Sequence, residues 1–155
     1  MSRAVSLAVS ASSDVPAATP WPEGLGVAQV CITRATRCLS KILAFYRDAV
    51  GLPVLFEFDS GSGTCGAMLG LPGTPYHLEF IQSPDGEDCT PPSRQNVLVL
   101  HIPDRDQVQK LASRLQALGH APVAPANPFW IGKATVFEDP DGWPLVLNHG
   151  AGLTL

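Results

Sequence analysis

Two stretches of this chain carry the same order of patterns, and that doubling constrains the fold more than any single motif. Each reads strand, helix, then three strands, over roughly 50 to 55 residues, a period that marks a repeated supersecondary unit. In the first, Val27 to Thr33 alternates as a strand, with Val30 and Ile32 on one face and Gln29, Cys31 and Thr33 on the other. Leu39 to Val50 is an amphipathic helix: Leu39, Ile42, Leu43, Tyr46 and Val50 recur at helical spacing, and Gly51 supplies the stop. Val54 to Phe58, Thr64 to Leu69 and Tyr76 to Gln82 follow as strands, separated by Gly-rich turns. In the second, Val97 to Ile102 is a strand. Asp104 caps a helix to Leu118 whose buried stripe is Val108, Leu111, Leu115 and Leu118. A short extended stretch near Ala121 to Val123 and a loop from Ala126 to Trp130 lead into two final strands.

Those last strands flank Asp139-Pro140-Asp141-Gly142. Asp139 suits the first turn position because its carboxylate bonds the backbone ahead of it. Pro140 presets φ at the second, and Gly142 suits the fourth. The two units match at their ends: Leu78 and Phe80 correspond to Leu145 and Leu147, and Glu79 to Val146. Neither unit has enough strands to hide its apolar face, so the two are expected to pair. The expected class is α+β, with paired βαβββ modules forming a curved sheet around a central cup. A flexible leader over residues 1–24, ending near Trp21, precedes one domain over residues 25–150. Its first module spans about 26–82, a polar, proline-rich linker 83–95, and its second module about 96–149.

The totals narrow the function. With 45% hydrophobic and 15% charged residues the chain forms a sizeable core. A net charge of -4 without a basic face argues against nucleic acid or an anionic membrane as partner. No apolar run is long enough to span a bilayer. Cys31, Cys38, Cys65 and Cys89 form no C-x-x-C pair, which points to reduced structural thiols and a cytoplasmic protein. Val5 to Ala11 after Arg3 is faintly like a signal peptide, but it is short and broken by serines. Neither a G-x-S-x-G nucleophile motif nor a G-x-x-x-x-G-K-[ST] phosphate loop occurs.

Three motifs bring the chain to a known family. Leu43-Ala44-Phe45-Tyr46 before Gly51-Leu52 resembles the first-helix signature of the vicinal oxygen chelate superfamily. Tyr76-His77-Leu78-Glu79-Phe80 resembles its fourth strand, and Phe137 to Trp143 its final hairpin. That superfamily includes glyoxalase I, extradiol dioxygenases, fosfomycin-modifying enzymes and bleomycin-sequestering proteins. The resemblance covers about residues 26–149. It implies the paired-module cup and, in metal-using members, a divalent ion held by the first and last strands of both modules.

Carried over residue by residue, that ligand set is incomplete. Glu79 falls on the carboxylate position of the first module. The first-strand position falls on Gln29, or on Cys31 in an ungapped alignment, and the second-module positions fall on Val97 and Val146. A divalent ion wants three or more N, O or S donors, and two valines offer none. A different set, His77, Glu79 and His101, shares the cup-facing parity and is the candidate if a metal binds. Glu79 and His77 are the candidate catalytic pair, as general base or ligand anchors; a structural pair explains them equally. Gln29, His101, Asn127, Phe129, Trp130 and Trp143 are candidate ligand contacts. The aromatics among them would line the cup, plug it or seal a dimer interface. Arg34 is either a rim contact for an anion or a solvated surface residue. The expectation is a cytoplasmic homodimer that binds a small, partly aromatic molecule without cofactor. The alternative is a glyoxalase-like lyase or isomerase, or a dioxygenase, using a divalent metal at a rearranged site.

Overall fold

A computed structural model of the chain describes residues 22–71 and 73–152. Most of the leader, including Trp21, lies outside the described residues. Strands β1 (Val30–Ala35), β2 (Val54–Asp59), β3 (Cys65–Gly70) and β4 (Tyr76–Gln82) form one sheet in the order β1-β4-β3-β2. Strands β5 (Leu98–Ile102), β6 (Pro122–Val123), β7 (Ala134–Glu138) and β8 (Pro144–His149) form a second in the order β5-β8-β7-β6. In each, the first and last strands run parallel because a helical crossover joins the first to the rest, and the other pairings are antiparallel. The doubled order read from the sequence is therefore the architecture, an α+β fold of two βαβββ units.

Three local readings need correction. The first strand begins at Val30, three residues later than expected, and continues to Ala35. Among the described residues its ladder is to β4, whose register begins at Val30 opposite Tyr76, so the strand starts there. The first helix is α-helical only as α1 (Leu39–Leu43) and continues as a π-helix over Ala44–Val50. The wider turn, closed by Gly51 N–H donating to the Tyr46 carbonyl at 3.1 Å, broadens the buried face. Phe45 and Ala49 join Tyr46 and Val50 in the core, where a 3.6-residue stripe left them out. Lastly, the loop before the final hairpin holds a 3-10 turn at Pro128–Trp130, capped by Asn127 Oδ1 accepting from Phe129 N–H at 2.9 Å.

One core serves both units. Ile42, Phe45, Tyr46, Leu69, Leu78 and Phe80 from the first pack with Val108, Ala112, Leu115, Phe137, Leu145 and Leu147 from the second. Helix α2 (Arg105–Ala117), capped by the Asp104 side chain as expected, lies against the π-helix, and Arg114 donates to the Asp48 carbonyl at 2.6 Å. Fully burying one such Leu or Phe contributes about 1.5–3 kcal/mol, so the modules stabilise each other through side chains that neither hides alone.

The hairpin turn adds a polar clamp to this interface. Asp139 Oδ1 accepts from the backbone N–H of Asp141 (2.9 Å) and Trp143 (3.0 Å), and Gly142 takes φ 89° at the fourth position. The other carboxylate oxygen leaves the turn and crosses to the first module. Oδ2 accepts from Arg34 Nη2 at 2.6 Å and from the Tyr46 hydroxyl at 2.9 Å. The Arg34 guanidinium lies 4.9 Å from the Phe80 ring centroid and 4.5 Å from that of Trp143. Arg34 is thus neither a rim contact nor a solvated residue. Its parity puts it on the helix side of the sheet, beside its β4 neighbour Phe80.

Candidate functional site

Register decides what each sheet shows on the face away from the helices. On β4, Leu78 and Phe80 pack into the core, so His77 and Glu79 face the other way. The parallel ladder places Cys31 beside His77 and Thr33 beside Glu79, while the antiparallel ladder places Gly70 and Met68 on their other flank. Side chains of laterally paired residues share a face. Cys31, Thr33, Met68, His77 and Glu79 are therefore one patch.

Within it, Thr33 Oγ1 donates to Glu79 Oε2 at 2.5 Å, and Cys31 Sγ lies 3.8 Å from the same oxygen. It is Cys31, rather than Gln29, that reaches Glu79. Gln29 precedes the strand and is exposed. Glu79 is bound to Thr33 and not to His77, so these two residues are not the structural pair that their spacing suggested. His77 is buried, 7% exposed, and its Nδ1 has no partner among the described residues.

The walls of this patch were not visible in the sequence. A bulge between Val54 and Phe56 shifts β2 by one residue, which aligns Phe56 with Met68 and Phe58 with Gly66. Phe56 and Phe58 stack at 6.5 Å. Gly66 gives Phe58 its place, since a Cβ there would sit 2.5 Å from the ring and 2.8 Å from the Phe80 carbonyl. Leu55 leans over Gly70 in the same way, 3.1 Å from where a Cβ would be. A strict period-2 reading of Val54 to Phe58 hides this, because the bulge turns neighbours Leu55 and Phe56 toward one face.

The second module presents a different surface. Val146 pairs with Val99 and Val136 and is 1% exposed. Val97, Val136, Val146, Asn127 and Trp130 line a narrow recess. Trp130 also borders a larger recess of about 590 Å³, which contains His101, Phe129 and Asn148. Asn148 Nδ2 lies 3.0 Å from His101 Nδ1. Phe129 and Trp130 meet edge to face at 4.9 Å. The structure thus brings His101, Asn127, Phe129 and Trp130 together on the second module, and His77 with Glu79 on the first. Trp143 belongs to neither group. It covers Arg34 and donates Nε1–H to the Cys89 carbonyl at 2.8 Å, fastening the linker to the hairpin.

The residues do not fit the divalent ion of the metal-using relatives. At the positions the resemblance marks, Glu79 and Cys31 stand on the first module and Val97 and Val146 on the second. No group of three or more His, Cys, Asp or Glu placed to hold an ion occurs among the described residues, so His77, Glu79 and His101 do not converge within the chain.

Comparison with known proteins places the fold in a family. The YycE-like N-terminal domain matches residues 30–81, and the YycE-like C-terminal domain matches residues 95–149. The uncharacterized protein YycE of Bacillus subtilis (strain 168) is 35% identical over 127 residues, covering 82% of this chain and 91% of that protein. Its crystal structure, described as a candidate glyoxalase/fosfomycin resistance protein, superposes with a TM-score of 0.77 over 82% of this chain and 93% of that one. TnmS3, an antibiotic binding protein from Streptomyces sp. CB03234, is 25% identical with a TM-score of 0.61, covering 83% and 98%. The fosfomycin resistance protein FosX from Mesorhizobium loti, at 18% identity and a TM-score of 0.59 over 82% and 93%, shares the fold. The repeated βαβββ order, the Glu79 strand and the Asp139 hairpin are thus those of a chain that belongs to the YycE-like family, within the vicinal oxygen chelate superfamily of glyoxalase, fosfomycin-resistance and bleomycin-resistance proteins.

Proposed function

We propose that this protein binds a small, partly aromatic molecule in its cup without a complete metal site, and that a second copy closes the cup. The observation that carries the reading is the mismatch of donors. A carboxylate, a hydroxyl and a thiol stand on the first module, and Val97 and Val146 stand where the second module would supply ligands. Such a surface holds an organic molecule between apolar walls, with Glu79 to orient it. The antibiotic-binding role of TnmS3, at 25% identity, favours the same class.

The dimer is supported by exposed apolar surface. β1 is an edge strand, and Val30 and Ile32 on it are 46% and 44% exposed. Phe56 is 57% exposed. An unpaired six-residue edge with apolar side chains is a surface that invites a partner. The four thiols are free and fit a reducing cytoplasm. No helix among the described residues is long and apolar enough to cross a membrane.

The rival reading, a lyase, isomerase or dioxygenase with a divalent ion at a rearranged site, has one observation in its favour: the unpartnered Nδ1 of His77 close to Cys31 and Glu79 in the sheet. Elemental analysis and calorimetric titration with Ni, Zn, Mn and Fe(II) separate the two. The binding-protein reading expects no stoichiometric metal. One ion per chain, lost in both His77→Ala and Glu79→Gln, would replace it with the enzyme reading.

A further inference from the structure

We propose that the recess at the end of β5 and β8 is an anion subsite that takes the acidic group of an aryl acid. The inference rests on the cup reading for its place, because Trp130 borders both this recess and the valine-lined one. It goes further by assigning a charge and a class to the ligand.

The lining carries the argument. Arg105, Lys133, His101, His149 and Asn148 all border the recess, and no aspartate or glutamate does. The whole chain is acidic, at -4, so this concentration of basic groups is a local exception. Neither Arg105 nor Lys133 makes an ion pair among the described residues. The neighbouring acids are engaged elsewhere. Asp104 Oδ1 caps α2 by accepting from Asp106 N–H at 2.8 Å and Gln107 N–H at 3.3 Å. Asp106 borders a different face, with Gln109, Lys110 and Ser113.

The floor and roof are built as well. Lys133 Nζ lies 3.8 Å from the Phe129 ring centroid, which holds the ammonium against the aromatic wall. The chain after β8 folds back, with Gly150 N–H donating to the Ile102 carbonyl at 3.0 Å. Gly152, at φ 76°, then lies on the His101 ring, where a Cβ would be 3.3 Å from Cγ. Asn148 Nδ2 lies 3.0 Å from His101 Nδ1, which ties the ring to the recess wall. A volume of about 590 Å³ suits a small aryl acid, with the ring against Trp130 and the carboxylate or phosphate among the cations.

The test is calorimetry on the whole chain with benzoate, phenyl phosphate and inorganic phosphate. Benzyl alcohol serves as the neutral control and benzylamine as the cationic one. Benzoate and phenyl phosphate should bind at least about tenfold more tightly than benzyl alcohol, and benzylamine more weakly still. Inorganic phosphate, lacking the ring, should fall behind phenyl phosphate. Raising salt from about 50 to about 500 mM should weaken the aryl anions, as expected for partly exposed charges. Arg105→Gln/Lys133→Gln alters two exposed side chains and should fold with an unchanged melting temperature while losing at least about tenfold in affinity for both aryl anions. Lys110→Gln, which removes a cation from a different face of α2, should leave benzoate binding unchanged. Aryl anions that bind no better than benzyl alcohol, or that bind the double variant like wild type, overturn the proposal. If they fail while a Glu79-dependent ligand is found, the cup reading stands and only the subsite falls.

Discussion

Replacing Asp139 by Asn should remove one partner of the clamp between the modules while keeping the shape of the turn. The Asp139 side chain is 0% exposed and that of Arg34 is 12% exposed. In the variant, the amide oxygen takes over the backbone N–H groups of Asp141 and Trp143, as Oδ1 does now. The amide nitrogen then faces Arg34 Nη2, a donor against a donor. Tyr46 can adapt by accepting, but Arg34 is left without a carboxylate in a largely dry site. Breaking a buried pair from one side costs about 3–5 kcal/mol. The rings of Phe80 and Trp143 still cover the guanidinium, which puts the loss near the lower end, at about 3 kcal/mol. With a urea slope of about 1.5 kcal/mol per molar, the unfolding midpoint should fall by about 2 M. Arg34→Met in the Asp139→Asn background removes the stranded charge and should recover most of that loss, a coupling of at least about 2 kcal/mol. A single variant costing under about 1 kcal/mol, or strict additivity of the pair, would show that the clamp is not what joins the modules.

Gly66→Ala should destabilise by about 1–3 kcal/mol in the same urea assay, because its Cβ meets the Phe58 ring and the Phe80 carbonyl and one of them must move. Tyr46 is held protonated well above the ordinary tyrosine range, first by burial and then by the Asp139 carboxylate. The unfolded chain gives up that proton from about pH 10 while the folded chain keeps it, so stability is full below pH 10 and falls above it. Urea midpoints across alkaline pH should show a shallower fall in Tyr46→Phe. Among the thiols, Cys38 is drawn below its ordinary pKa by the Ser40 hydroxyl, whereas burial pushes Cys89 up. Mass spectrometry after brief maleimide treatment at neutral pH should find Cys38 modified well before Cys89.

Much of the fold was legible because its signals are local. Asp139-Pro140-Asp141-Gly142 specifies its turn with its own side chains, and Asp104 specifies the start of α2. Strand parity was enough to place Leu78 and Phe80 inward and Glu79 outward. What stayed hidden depends on partners far along the chain. The second oxygen of Asp139 finds Arg34 and Tyr46 about a hundred residues away, and nothing near either residue announces it. Trp143, expected in the cup, answers to Arg34 and to the Cys89 carbonyl instead. Arg105 and Lys133 sit in a helix start and a loop, far apart in sequence, and line one recess only in the folded chain. The π-helix and the β2 bulge each break the period that sequence reading assumes. Phe45, Ala49 and Phe56 were missed for that reason.

The central claim is that Glu79 orients a ligand in the cup without help from a metal. It is tested most directly by screening small aromatic metabolites and antibiotics for thermal stabilisation in the presence of EDTA. The best hit is then titrated by calorimetry into wild type and Glu79→Gln. The account predicts a hit whose affinity is indifferent to EDTA and falls by about 1.5–3 kcal/mol in the variant, the worth of a hydrogen bond to a charged group. The variant itself should melt no lower than wild type, since an isosteric amide relieves a partly buried charge. A hit that vanishes with EDTA, or one that binds Glu79→Gln as tightly as wild type, would contradict it.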